Sequence, residues 1–225
     1  MGIVIDFHAH ILPGADHGSF SLEESLWQLR SAKAAGVDLV IATPHFYPEE
    51  HRVDEFLAMR EKLTAKLKKA NGEKTLRIRP GAEVLLCEGL DRMEGLEKLC
   101  IQGTDILLLE MPFAEVTDEM FRTIERLEKG GKVRPVLAHI DRYRFETAAR
   151  ALSCTPRAQI NVQSLTGFFG MRRLKPFLDG GFVYALGSDI HRRGNQYTAF
   201  ARVLKKRSSE AEEIMRRTAS LLKIK

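Results

Sequence analysis

Apolar runs of strand length alternate along this chain with segments of helical period. The pattern begins with IVIDFHAH (3–10), passes to the amphipathic LEESLWQLRSAKAAG (22–36) and returns to VDLVIATPH (37–45), which predicts a β-α-β start. After a charged helical stretch near 50–70 come LRIRPGAEVLL (76–86), DILLLEMP (105–112), a helix near 117–130, VRPVLAHIDRY (133–143), AQINVQSLTG (158–167) and FVYALGSDIH (182–191). These make seven predicted strands. Most are near-continuous apolar runs, the signature of parallel strands covered by helices, and the intervals are long enough for crossover helices. A parallel sheet, closed or nearly so, follows. Ser21 with Glu24 three residues on gives a capping-box pattern, and Gly36 closes the periodic stretch as a C-terminal glycine. Two last helices, near 196–206 and 208–222, are expected on the outside.

The 225 residues exceed the commonest domain size, but α/β barrels reach this length as one unit. No repeat, low-complexity tract or linker interrupts the alternation, so a single domain over 1–225 is expected. Hydrophobic residues at 44% and charged ones at 29% supply a sizeable core and exclude a disordered chain. The N-terminus lacks a basic n-region and no apolar run reaches spanning length, so neither an export signal nor membrane insertion is expected. Cys87, Cys100 and Cys154 are odd in number and widely spaced, which argues against a disulfide framework and for a cytoplasmic protein. The net charge of +5 comes from Lys and Arg scattered among Asp and Glu on helical faces, a solvated surface and no stable nucleic-acid site.

Metal-ligand residue types fall at the ends of the predicted strands: His8 and His10 on the first, His45 on the second, Glu83 on the third, Glu110 on the fourth, His139 on the fifth, Asp189 and His191 on the seventh. His17 lies in the first βα loop, so only His51 of the seven histidines stands apart. In a parallel barrel all C-terminal strand ends share one face, where residues remote in sequence converge. Spacing i, i+2 in a strand puts both side chains on one side, so His8/His10 and Asp189/His191 are candidate ligand pairs. A single histidine at a strand end is ordinarily a hydrogen-bonded core or surface residue. A buried strand carboxylate such as Glu83 or Glu110 is harder to dismiss, because unpaired buried charge calls for a cation.

Imidazole mixed with carboxylate, without cysteine, favours zinc, manganese or iron over magnesium or calcium. Two or three such ions neutralise an anionic substrate, lower the pKa of a bridging water to give hydroxide, and stabilise a leaving oxygen. Hydrolysis of a phosphate ester is the natural reaction. Arg142, three residues past His139, would bring a guanidinium fork beside the metals, and Arg192 and Arg193 offer a second phosphate clamp. Asn161 and Ser164 are candidate substrate contacts, and Asp16 and Asp141 candidate proton donors. Rival chemistries are absent: no cysteine has Arg six positions on, where Met93, Ile106 and Ile160 stand, and there is no Walker loop, G-x-S-x-G elbow or dinucleotide fingerprint.

The motifs DFHAH (6–10), ATPH (42–45), GAE (81–83), LLE (108–110), AHIDRY (138–143) and GSDIH (187–191) resemble, in order and spacing, the PHP (polymerase and histidinol phosphatase) family. LLE and HIDRY resemble its branch of capsule-operon tyrosine phosphatases, which dephosphorylate the tyrosine-rich tail of a polysaccharide-assembly autokinase. The resemblance implies a distorted seven-stranded TIM-like barrel with a trinuclear site for divalent ions, manganese first, iron or zinc otherwise. It implies that His8, His10, Glu83 and Asp189 hold one ion, that Glu83 bridges to a second held with Glu110 and His139, and that His17, His45 and His191 hold a third, with Arg142 on phosphate. His17 stands where this branch usually has Asp. Histidinol phosphatase and PHP-type nuclease are the alternative activities on the same metals.

Overall fold

The computed structural model describes residues 2–72 and 76–224, so Met1, residues 73–75 and Lys225 of the expected 1–225 unit lie outside the described residues. It is an α/β fold in which, among the described residues, strands pair only in parallel. The strands are β1 (Ile5–Ala9), β2 (Leu39–Ala42), β3 (His45–Phe46), β4 (Arg77–Pro80), β5 (Glu83–Leu85), β6 (Ile106–Glu110), β7 (Arg134–Leu137), β8 (Ala158–Asn161) and β9 (Val183–Gly187). The helices are α1 (Leu22–Ala34), α2 (Val53–Asn71), α3 (Asp118–Gly130), α4 (Phe145–Cys154), α5 (Phe168–Asp179), α6 (Gln196–Lys206) and α7 (Ser208–Leu221). No described helix is long and apolar enough to cross a membrane.

Two of the seven expected strands are each broken in two. The stretch expected as one strand over 37–45 stops at Ala42 and resumes at His45, and the one over 76–86 stops at Pro80 and resumes at Glu83. Pro44 carries no N–H for a ladder. At Gly81 an added Cβ would sit 3.1 Å from Ile101, so the backbone passes close against the core. The breaks match: Ala42 pairs with Pro80 before them and His45 with Glu83 after them, so the same offset persists. The hydrogen bonds Gly81 N to Ala42 O (2.8 Å) and Glu83 N to Pro44 O (3.0 Å) carry the pairing across.

The pieces form two sheets, ordered β1-β2-β4 and β3-β5-β6-β7-β8-β9. The free edges of β1 and β9 meet through a parallel bridge between Ala9 and Ile190, where Asp189 N donates to His8 O (2.7 Å) and His10 N to Ile190 O (3.2 Å). β1 and β6 are buried on both faces, and Phe7, Ile41, Leu107 and Leu109 are fully inaccessible. α1 starts as expected, with the Ser21 hydroxyl accepting from Glu24 N (3.1 Å) while the Glu24 carboxylate accepts from Phe20 N (2.8 Å).

Candidate metal centre

The C-terminal ends of the strands gather the ligand types the sequence scatters. In β1 the alternation puts Asp6, His8 and, just past the strand, His10 on one side, and the Nε2 atoms of His8 and His10 come to 3.0 Å. Asp6 lies beneath them, accepting from Ser188 N and the Tyr197 hydroxyl (2.8 Å each). Burial raises its carboxyl to about 6 against those hydrogen bonds. Asp16 accepts from His10 Nδ1 (2.8 Å), Gly18 N (2.8 Å) and His45 N (3.1 Å), which turns the His10 Nε2 towards the cluster. Gly18 is required here, since a Cβ would lie 2.3 Å from that of His10.

Glu83, first residue of β5, sits at the centre. Its Oε2 lies 3.1 Å from each of His8 Nε2, His10 Nε2 and His45 Nδ1, yet none of the three is aligned to hydrogen-bond it. His139 Nε2 is 2.9 Å from Glu83 Oε1 and 3.3 Å from Glu110 Oε1. Asp189 Oδ1 lies 3.4 Å from His10 Nε2 and 3.7 Å from His8 Nε2. Three sets of ligand atoms are mutually within 4.8 Å: His8, His10 and Asp189; His45, Glu83 and Glu110; and His10, His45 and His191. The exposed His17 stacks on His45 and His191, with ring centroids 4.8 and 4.6 Å away. His17 therefore adjoins the third set, in which His10 is the third close ligand.

His139 and Asp189 lie just beyond β7 and β9, at φ of 29° and 50°. The left-handed backbone ends the regular alternation, so Asp189 and His191 are not the strand pair expected from i, i+2 spacing. They reach the cluster from a turn in which His191 Nδ1 faces Asp189 O at 3.1 Å. Strained backbone of this kind is found where the surroundings over-determine a functional geometry.

The electrostatics fit divalent cations. Glu83 and Asp189 are driven up by burial but held well below the carboxylate range by the charge of His8 and the nearby His10. Burial opposes charge on His10 and His139, yet Asp16, Asp189 and Glu83 hold His10 well above its ordinary value, and Glu110 and Glu83 lift His139 to about 9. His45 and His191 go the other way, to about 3 and about 4, through burial and the positive His10. In this frame imidazolium supplies the charge that a metal would. Buried atoms without a hydrogen-bond partner confirm the misfit: His45 Nδ1, Glu83 Oε2, His139 Nδ1 and His191 Nε2. The 3.0 Å between the Nε2 atoms of His8 and His10 is also the separation of two ligands at about 2.1 Å from one ion at a right angle.

A cavity of about 380 Å³ opens over the cluster, lined by His17, His45, Glu83, Glu110, His139, Asp189 and His191 together with Tyr47, Phe113 and Arg142. Arg142 stands at its rim, 40% exposed, and forms an ion pair with Asp189 Oδ2 at 2.5 Å. Arg192 and Arg193 do not join it: the Arg192 guanidinium lies 4.1 Å from the Phe20 ring, and Arg193 pairs with Glu23 at 2.6 Å. The two other polar candidates are spoken for inside the protein. Asn161 Nδ2 donates to Asp189 Oδ2 (3.1 Å), and Ser164 donates to Asp141 (2.6 Å). Asp141 also accepts from Asn161 N (2.9 Å), so both it and Asp16 hold structure together.

The chain has relatives among known proteins. The family described as capsular polysaccharide synthesis, CpsB/CapC, matches residues 4–220. The chain belongs to the CpsB/CapC family. Among its relatives, the tyrosine-protein phosphatase YwqE of Bacillus subtilis is 29% identical over 199 residues, covering 84% of this chain and 77% of YwqE. The tyrosine-protein phosphatase CpsB of Streptococcus pneumoniae is 29% identical over 213 residues, covering 84% and 83%. The crystal structures of YwqE and CpsB, described as unique metal-dependent tyrosine phosphatases, include a chain that superposes with a TM-score of 0.78 at 22% identity, over 98% of this chain and 94% of that one. A phosphotriesterase homology protein of Escherichia coli, solved with phosphate in its active site, shares the fold more distantly, with a TM-score of 0.50 at 12% identity over 93% and 91%.

Within this CpsB/CapC chain two site residues had no sequence signal. Gln159 of β8 is fully buried, and its Oε1 faces His8 Nδ1 at 3.1 Å and accepts from His139 N at 2.7 Å. It braces two candidate ligands at once. Gly187 makes room for it, since a Cβ there would lie 2.5 Å from the Gln159 amide and 2.6 Å from His8 Cβ. The other is Phe113, an exposed ring at the cavity's edge.

Proposed function

We propose that this CpsB/CapC chain is a metal-dependent protein-tyrosine phosphatase acting on the tyrosine-rich tail of an autokinase that controls capsular or exopolysaccharide synthesis. The observation that carries it is the buried cluster with Glu83 at its centre, three imidazole nitrogens at 3.1 Å from one oxygen that accepts a hydrogen bond from none of them. The tyrosine-phosphatase relatives support the substrate class.

Two to three divalent ions, manganese before iron or zinc, would be held by His8, His10 and Asp189, by His45, Glu83 and Glu110, and by His191 with His17 beside it, with His139 against Glu83 and Glu110. When bound, the ions neutralise phosphate charge and acidify water to a nucleophile. Arg142 orients the phosphate: its planar fork already meets a carboxylate oxygen at the rim, and phosphate oxygens present the same geometry. Asp16 fixes the His10 ring, and Gln159 fixes the His8 ring and the backbone N–H of His139. Neither Asp16 nor Asp141 is free to protonate a leaving group. That suits a phenol of pKa about 10 better than an alcohol.

One domain carries this site on a distorted seven-stranded barrel. Support comes from the matched breaks, which make β2 with β3 and β4 with β5 single staves, and from the Ala9–Ile190 bridge that joins β1 to β9. The free Cys87, Cys100 and Cys154 accord with a cytoplasmic setting.

The test is manganese-supplemented turnover of a phosphotyrosyl peptide beside histidinol phosphate and a phosphodiester, with chelated enzyme as control. Chelator-sensitive phosphate release preferring the peptide is expected. Silence on the peptide with turnover of either other substrate would overturn the substrate and keep the metals.

A further inference from the structure

Three large apolar side chains are substantially exposed among the described residues: Phe20, Phe113 and Phe145. Phe20 is covered by the Arg192 guanidinium at 4.1 Å, and Phe145 stacks on Phe177 at 5.4 Å. Phe113 is the most exposed, at 66%, and lies in the segment that leaves β6 just after Glu110. Its ring stands between two hollows. One is the cavity of about 380 Å³ over the cluster; the other is a groove of about 490 Å³ walled by Val116, Phe121, Tyr143 and Arg144. Phe113 and Arg142 line both.

The orientation of the ring is set from below. It lies within 15° of parallel to His139 and to Tyr143, with centroids 5.9 and 5.8 Å away, and the Arg142 guanidinium carbon is 6.0 Å from its centre. Tyr143 is itself anchored by its hydroxyl donating to Met111 O at 2.6 Å. A fixed aromatic plane, two-thirds exposed beside a cavity floored by histidines and carboxylates, is a platform for another ring: the phosphoryl group enters the cavity while the carbon framework meets the exposed ring at its edge.

We propose that Phe113 determines specificity by stacking against the phenyl ring of the phosphotyrosine, with the polypeptide continuing into the groove on its far side. This rests on the tyrosine-phosphatase function proposed above. Aryl phosphates gain the stacking contact; alkyl phosphates, which share only the phosphoryl group, do not.

The test separates ring recognition from leaving-group chemistry by using non-hydrolysable ligands. Inhibition constants of benzylphosphonate, methylphosphonate and inorganic phosphate are measured on metal-loaded wild-type enzyme, Phe113→Ala and Phe113→Trp, with para-nitrophenyl phosphate as reporter. Benzylphosphonate is expected to bind wild type about 3- to 10-fold tighter than methylphosphonate. Phe113→Ala removes that preference while phosphate inhibits as before, and Phe113→Trp restores it. The proposal is overturned if wild type does not prefer the benzyl compound, if the preference survives in Phe113→Ala, or if methylphosphonate and phosphate weaken as much as benzylphosphonate. The last result would mean that Phe113 acts only by supporting His139 and Tyr143. Failure of the parent function reads out separately, as wild-type enzyme silent on a phosphotyrosyl peptide.

Discussion

Where the strands begin, charged groups meet partners: Asp38 accepts from Val4 N at 2.9 Å, the Arg134 fork closes on Asp105 at 2.9 and 2.7 Å, and Arg157 reaches Glu128 and the Pro135 carbonyl. Where they end, Glu83, Glu110 and Asp189 face a ring of imidazoles at contact distance, and four buried polar atoms have no hydrogen bond. The same residue types thus do opposite work at the two ends. The first end completes its polar pairing on folding, whereas the second leaves ligand atoms unspent for ions. Buried unsatisfied groups are costly, so the second end should respond to metal and the first should not.

The largest effect expected is at Glu83. Glu83→Ala removes the central carboxylate and should lower phosphatase turnover by more than the ~10–100-fold typical of groups that merely support a ligand, with bound metal falling in elemental analysis. Full activity would mean that the cluster is not the centre. Next is Gln159→Leu, which takes the brace from His8 and His139 without touching an ion. A roughly 10–100-fold loss of metal affinity by titration is expected, and unchanged affinity would make Gln159 a packing residue only.

Chelation should divide the two ends by pH. In metal-free protein His139 is raised from its ordinary 6.5 to about 9. The stability it contributes is fully present below 6.5 and lost as pH rises through 9. The thermal midpoint of chelated protein should therefore fall across that window, and metal-loaded protein, whose His139 is held neutral by coordination, should change less. Equal slopes would count against His139 as a ligand. The smallest effect is at the other end: Asp105→Asn breaks a half-exposed pair and should cost under ~1 kcal/mol in urea denaturation, with turnover intact. Arg134 holds the Asp105 carboxyl below its usual range, so this stability is present above that range and is lost as pH falls below it through the lowered value. A large loss at neutral pH would show that this end is less complete than its hydrogen bonds suggest.

Most of the architecture was legible because parallel strands are apolar throughout, as DILLLEMP is, and because histidines and carboxylates recur at the ends of such runs, which a parallel sheet brings to one face. The strand breaks were not, since Thr43-Pro44 and Gly81-Ala82 sit inside runs that read as continuous, and only packing against Ile101 shows the chain has no room to go straight. The turn at Asp189 was equally hidden, because a positive φ at a non-glycine residue leaves no mark in the sequence. Gln159 escaped because an amide in AQINV is unremarkable until two histidines are seen on it. The placement of Arg192 and Arg193 was hidden for a related reason: proximity to a ligand in sequence says little about where a side chain lies once it turns to Phe20 or Glu23.

The paired strand breaks constrain how such a chain can change length. Each spans two residues, and the pairing of His45 with Glu83 depends on both being equal. Deleting one residue from either would slide its ligand by about 3.3 Å and turn it to the opposite face. Insertions between Tyr47 and α2 meet no such condition. Length variation is therefore affordable in the loops and forbidden in four residues buried beneath them.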